Sequence, residues 1–170
     1  MIDRIRIRDE TGNDARAICE VTVAAFRTLA VSRQTEHFII AALREAGALS
    51  VSLVADLSGR VVGHLALSPV RISDGTDSWY GMGPVSVLPE FQRRGVGKAL
   101  VREGLSRLKA RGAGGCCLVG HPPYYALFGF APLQGLLLPG APPEFFLALS
   151  FDPRPPQGIV TFHEAFQAAG

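Results

Sequence analysis

What this sequence lacks first is charge of one sign. Seventeen lysines and arginines stand against fifteen aspartates and glutamates, a net charge of +2. Such a chain has no global field with which to recruit nucleic acid or an anionic membrane, so neither is expected as a partner and any anion must be bound locally. It also lacks long apolar runs: nothing approaches the roughly 20 residues of a membrane span. The opening MIDRIRIRDE alternates charged and apolar residues without the h-region of a signal peptide, which points to a cytoplasmic protein. Cysteine is scarce. Cys19, Cys116 and Cys117 are an odd number, and the adjacent pair would face opposite sides of a strand, so they make a poor disulfide set and read as small buried hydrophobes. No spacing of His, Cys, Asp and Glu converges on a metal site, and no metal is expected.

What is present is a foldable core. With 48% hydrophobic and 19% charged residues, the chain buries much of its surface, and 170 residues make one domain, 1–170, rather than two. IRIRD has the period-two alternation of a strand, and Asp14 to Phe26 carries Ile18, Val21, Ala25 and Phe26 at helical spacing. Thr35, Phe38, Ile39, Ala42 and Leu43 predict a second helix, closed by Gly47. LSVSLVADLSGRVVGHLALSPVRI reads as a hairpin turning at Leu57-Ser58-Gly59. WYGMGPVSV is a strand interrupted by Gly81, Gly83 and Pro84, the mark of a bulge or of a close approach to the backbone. A helix follows from Val96 to Ala110, with Leu100, Val101, Leu105 and Leu108 on one stripe. GGCCLVG predicts a short buried strand, HPPYYALFGF a turn and short helix, and EFFLALSF a last apolar strand. The tail GIVTFHEAF adds one short strand or helix. The order β, αα, ββ, β, α, β, α, β is an α/β plan with a mixed sheet.

Between the interrupted strand and the long helix lies PEFQRRGVGKAL. A strand, then glycines, then a helix N-terminus is an anion site, because free backbone N–H groups converge there and the helix dipole favours negative charge. Phosphate loops differ in spacing. A Walker A loop needs glycine at the position held by Gln92 and Ser or Thr at that of Ala99, so it is excluded. The dinucleotide fingerprint would place Leu100 at its third glycine, with no preceding βαβ unit. What remains, Gln92-Arg93-Arg94-Gly95-Val96-Gly97, has the form Gln/Arg-x-x-Gly-x-Gly/Ala.

With that loop, the preceding VSVLPEFQ and the later YYALFGFAP, the sequence resembles the GNAT superfamily of acyl-CoA-dependent N-acyltransferases, of the small single-domain bacterial type. The element order matches from residue 2 to about 150. The resemblance implies a mixed, mostly antiparallel central sheet flanked by helices, with a splayed cleft between central strands, and acetyl-CoA as cosubstrate. It implies that the amides from Arg93 to Lys98, through Arg94, Gly95, Val96 and Gly97, hold the pyrophosphate of coenzyme A, with Gln92 opening the motif. The pantetheine arm would pair with the backbone of Val85 and Val87, with Val87 N–H as oxyanion donor, and Ser86 would neighbour the acetyl group or be an ordinary strand serine. Tyr125, four residues before Gly129, matches the general acid that protonates the departing thiolate, and Tyr124 the preceding aromatic that packs.

The base stays open. Many relatives carry an acid on the central strand, but GMGPVSV has none. Glu90, His121 and water are the candidates, followed by His64, His37, Glu36 and His163. The acceptor expected from the resemblance is a primary amine of a small molecule or peptide, shaped by the first two helices, their loop and the segment after about Leu133. A homodimer through the apolar C-terminal strand and a monomer both fit. Two rival readings stand beside the acetyltransferase: an acyl-CoA-binding regulatory module without efficient chemistry, and a nucleotide-binding protein that uses the glycine loop for a different phosphate.

Overall fold

Residues 4–170 are described by the computed structural model, so the start of the expected match at residue 2 lies outside the described residues. The alternating N-terminal segment forms β1 (Ile5–Asp9), and a 3₁₀ turn leads into α1 (Ala15–Phe26) and then α2 (Glu36–Glu45). The hairpin is β2 (Val51–Leu57) and β3 (Arg60–Pro69), turning at Ser58 and Gly59 where the backbone takes positive φ. Next come a two-residue strand β4 (Arg71–Ile72), the glycine-interrupted β5 (Trp79–Val87), the long α3 (Val96–Ala110), β6 (Gly115–Val119) and the single-turn α4 (Pro122–Tyr125). The chain finishes with β7 (Leu136–Leu137), β8 (Phe146–Ser150) and β9 (Gly158–Thr161), followed by a 3₁₀ turn at Glu164–Gln167.

The main sheet has the order β1-β2-β3-β5-β6-β8, and only the β5–β6 pair is parallel. A smaller sheet, β4-β9-β7, packs beside it and buries Trp79, Ile72, Leu136, Phe146 and Val160 in a second apolar cluster. The tail thus supplies both a strand and a 3₁₀ turn, where the sequence pattern predicts one or the other. Cys116 belongs to the main core and Cys117 to the second cluster, the opposite-face placement that adjacent strand residues require. Burial pushes both thiols up, Cys117 to about 12. Among the described residues no helix is long and apolar enough to cross a membrane.

Helix α3 covers one face of the sheet, and α1 packs over β3 and β5 on the other, with α2 beside it. The seating of α3 depends on two glycines. A Cβ at Gly63 would stand 3.1 Å from Leu100 Cδ1, and one at Gly104 3.1 Å from Leu65 Cδ2, so their absence lets helix and strand approach closely. Leu65, Leu67, Leu100, Val101 and Leu108 close this contact with no solvent exposure. Each such side chain contributes roughly 1.5–3 kcal/mol relative to leaving it in water. That packing fixes where the N-terminus of α3 lies relative to the end of β5.

Candidate active site

Three elements meet where β5 ends. The first is an opened sheet. Beside β6, β5 pairs only at Trp79, Tyr80 and Gly81, and the register stops at Gly81 opposite Cys117. On the other side, the ladder with β3 shifts between Leu65 and Leu67, so that Gly83 and Pro84 together oppose Ala66. Pro84 has no N–H to give a ladder, and the extra residue bends the strand away from β6, as expected from its composition. Leu88 N–H donates to Val62 C=O on the β3 side at 2.9 Å. Backbone groups alternate along a strand, so Ser86 also turns to β3, while Val85 and Val87 turn theirs to the open side. Val87 C=O is taken there by Gln92 Nε2 at 3.0 Å. Gln92 therefore ties the loop to the strand edge.

The second element is the loop itself. Arg93 has φ 62° and Gly95 φ 88°, both left-handed. At Gly95 this is free of side-chain conflict, whereas at Arg93 it costs on the order of 1 kcal/mol, a strain of the kind held at binding loops. The first α3 hydrogen bond runs from Ala99 N–H to Gly95 C=O at 3.0 Å. Among the described residues, no protein acceptor takes the amides of Arg93 to Lys98. Arg93, Arg94 and Lys98 are exposed and make no ion pair among the described residues. Free amides at a helix N-terminus, rimmed by unpaired cations, suit an anion with several oxygens.

The third element is α4, which presents two tyrosines differently. A Cβ on Gly97 would stand 2.9 Å from the Tyr124 hydroxyl, so Tyr124 reaches the first turn of α3. Tyr124 also packs, as the resemblance implies, edge-on to Tyr125 at 5.0 Å and to Phe128 at 5.5 Å, and its hydroxyl at the loop is an addition to that reading. Arg102, one turn beyond Lys98, lies over the Phe128 ring at 5.9 Å and opposes the burial that raises the Tyr124 phenol. Lys98 and Arg102 share an i, i+4 spacing, the one signal that could have added Arg102. Tyr125 instead turns inward, edge-on to Tyr124 at 5.0 Å and to Phe130 at 5.9 Å. Room for its ring comes from Gly120: a Cβ there would lie 2.5 Å from Tyr125 Cε2. Burial, with lesser contributions from Tyr124 and Cys116, pushes the Tyr125 phenol up to about 12. It holds its proton at neutral pH.

Tyr125 lines a cavity of about 550 Å³ together with Met82, Gly83, Pro84 and Val85 of the opened strand. The far wall is built by Phe26, Glu36 and Ile39 from α1 and α2, and by Leu138 to Ala141, Phe162 and Phe166 from the C-terminal part. Val85 borders this cavity and Val87 does not; Val87 lies by Gly97 instead. Ser86 is likewise absent from the lining. Its hydroxyl is buried and unpartnered, directly opposite His64 on β3.

The candidate bases separate cleanly. Glu90 is exposed, 4.0 Å from Arg60, and His121 is an exposed N-cap residue; neither lines the cavity. His37 stacks on Phe38 at 4.0 Å, and His163 Nδ1 accepts the Ala165 N–H at 3.0 Å. His64 is fully buried, with Nε2 2.7 Å from Ser52 Oγ. Ser52 gives its single proton to the Glu10 carboxylate, so Nε2 must carry the imidazole proton. Burial holds that ring neutral, down to about 4, against the pull of Glu10. Glu36 alone among these lies on the cavity, its carboxylate receiving the Ser32 hydroxyl at 2.7 Å.

Comparison with known proteins gives the family. Residues 15–129 match the acetyltransferase (GNAT) family. The N-acetyltransferase YhbS of Escherichia coli K12 is 34% identical over 125 residues, 73% of this chain and 72% of that protein. A GNAT family acetyltransferase from Brucella melitensis, solved in complex with acetyl-CoA, shares 48% identity with a TM-score of 0.86, over 95% of this chain and 97% of its own. The Escherichia coli YhbS structure in complex with CoA superposes with a TM-score of 0.85 at 32% identity, over 98% and 94% of the two chains. With 115 of its 170 residues matched by the family and relatives of 34% and 48% identity, this chain belongs to the GNAT family of acetyltransferases.

Proposed function

We propose that this chain is a single-domain N-acetyltransferase that uses acetyl-CoA as cosubstrate and acetylates a primary amine of a small molecule or peptide. The observation that carries the reading is the parting of β5 from β6 after Gly81, between the free amides at Arg93–Lys98 and the cavity lined by Tyr125. The pyrophosphate of the cosubstrate would take those amides, with Arg93, Arg94 and Lys98 at its edge and the Tyr124 hydroxyl close by. The pantetheine arm would lie along the open edge of β5, on the backbone groups of Val85 and Val87. The two complexes with acetyl-CoA and CoA among the similar structures support this choice of ligand.

Acetyl transfer then needs a neutral amine, a donor for the oxyanion and a proton for the departing thiolate. The amine nitrogen attacks the thioester carbonyl and the C–S bond breaks. Val85 N–H, on the open edge and on the cavity, takes the oxyanion role that the resemblance assigns to Val87. Burial keeps the Tyr125 phenol protonated at neutral pH, so its hydroxyl is the donor towards the sulfur as the C–S bond breaks. A free thiol titrates at about 8.5, below this phenol, so the transfer is drawn by bond cleavage and by return of a proton to Tyr125. The amine's proton passes to solvent through the open cavity and solvent returns one to Tyr125, so the step ends with the amide, the free thiol and the phenol restored.

Thermal melts in the presence of acetyl-CoA, CoA, NAD and ATP test the reading, on the native chain and on Gly97→Glu. A ligand at about a hundred times its dissociation constant stabilises the fold by roughly 2.7 kcal/mol. The substitution projects a carboxylate among the free amides and crowds only the Tyr124 hydroxyl. Stabilisation by the CoA species alone, lost in the variant, is the expected result. Stabilisation by NAD or ATP alone, or by none of the four, refutes it.

A further inference from the structure

The acceptor class is written in the cavity wall. Of the side chains around Tyr125, those of Phe26, Ile39, Met82, Leu138, Phe162 and Phe166 are apolar, and Glu36 brings the one carboxylate. Phe162 and Phe166 meet edge to face at 5.1 Å, a stiff aromatic corner. Apart from Tyr125 and backbone groups, such a wall has one polar side chain to offer, too few for the several hydroxyls, amides or ammonium groups of a sugar, a peptide backbone or a polyamine, which would be desolvated without partners. It matches an apolar body carrying one cation.

Glu36 is held for that purpose. It opens α2, and the loop before it folds back: Ser32 Oγ accepts the Gln34 N–H at 2.9 Å and donates its own proton to the Glu36 carboxylate. Gln34 Nε2 in turn donates to Phe26 C=O at 2.6 Å, binding the loop to the end of α1. Among the described residues no lysine or arginine pairs with Glu36; the Ser32 hydroxyl and the N-terminus of α2 hold the carboxylate, and no fixed cation stands between it and a guest. We infer that the acceptor is a primary amine on an apolar, aromatic-sized body, and that Glu36 is the specificity-determining residue that receives its ammonium group. The inference rests on the acetyltransferase reading above and names the substrate class of that same cavity.

Steady-state thiol release from acetyl-CoA tests it, with 2-phenylethylamine and tryptamine against ethanolamine, spermidine and a lysine-containing peptide. The aromatic amines are expected to exceed ethanolamine by ~30-fold in kcat/KM, the factor that burial of one aromatic side chain supplies. Glu36→Gln keeps an oxygen for the Ser32 hydroxyl and removes only the charge. It should raise KM for 2-phenylethylamine by ~10-fold, with kcat little changed, because a hydrogen bond to a charged partner is lost in ground and transition states alike. The neutral analogue 2-phenylethanol should inhibit both proteins equally, which a collapsed cavity would not allow. Acetyl-CoA binding by calorimetry on the same preparations separates the two levels. Binding together with a preference for the polar amines, no turnover of any amine, or an unchanged KM in Glu36→Gln overturns the inference and leaves the reading; absence of binding overturns both.

Discussion

Acid should weaken this fold through one buried imidazole before it reaches the carboxylates. His64 stands on β3 with its ring fully enclosed beside Ser52 of β2, and burial holds it neutral, down to about 4 from an ordinary 6.5. Between those two values the unfolded chain binds a proton that the folded chain refuses, so stability falls as the pH drops through this window and is unaffected above it. At about 1.4 kcal/mol per pH unit, the interval amounts to about 3 kcal/mol by pH 4, of which about 2 kcal/mol is already lost at pH 5. For a domain of this size, 1 kcal/mol moves Tm by roughly 2–4 °C, so a fall of roughly 4–8 °C is expected between pH 7.5 and 5. Asp14, held at about 2 by Arg8, acts in a lower window. Its stabilising pair is complete above the ordinary aspartate range and is lost only as the pH falls from there towards 2. The measurement is a series of calorimetric melts from pH 7.5 to 5 on the native chain and on His64→Gln, whose amide can still donate to Ser52. The variant starts from a lower Tm but should lose the slope. Parallel slopes in the two proteins would show that His64 does not titrate in a buried site, and the argument would fail.

The remaining expectations concern the tyrosine, its glycine and the thiols. Tyr125→Phe should lower kcat by ~10²-fold, the lower range for loss of a general acid, with acetyl-CoA affinity retained in calorimetry; an unchanged kcat would remove Tyr125 from the chemistry. Gly120→Ala places a methyl against the Tyr125 ring and should cost about 10²-fold in kcat through misplacement alone, while stabilisation by acetyl-CoA in thermal melts survives. An unchanged kcat in that variant would show that the ring position is immaterial. Of the three thiols only Cys19 is exposed, so one equivalent of a thiol reagent should be consumed by the native protein and three after denaturation; two fast thiols would contradict the burial of β6.

The hairpin turn at Ser58-Gly59, the stripe of α3, the capping of α2 before Gly47 and the glycine loop from Gln92 to Lys98 were all legible in the chain. Each is decided by residues within a few positions of one another, where periodicity and backbone stereochemistry act directly. The bulge at Gly83-Pro84 was legible for the same reason, since a proline in a strand interior already removes a ladder bond. The short strands β4 and β7 were not, because two residues carry no period; they exist only where β9 comes between them. Tyr124 and Tyr125 are neighbours of one type in one turn of helix. Their division between the loop and the cavity follows from Gly97 on α3 and Gly120 just after β6, more than twenty residues apart in the chain.

Sequence by itself therefore determined the family, the order of the longer elements and the glycine turn that opens α3, since these follow from local propensity and from motif spacing. Tertiary structure alone decided that Ser86 turns to His64 rather than to the cavity, that Glu90 and His121 stay outside it, and that Glu36 stands within it. Those outcomes depend on which faces of α1, α2 and the C-terminal segment close over β5. No local pattern encodes that choice, because it is made by burial between segments more than a hundred residues apart, from Phe26 and Glu36 to Phe162 and Phe166.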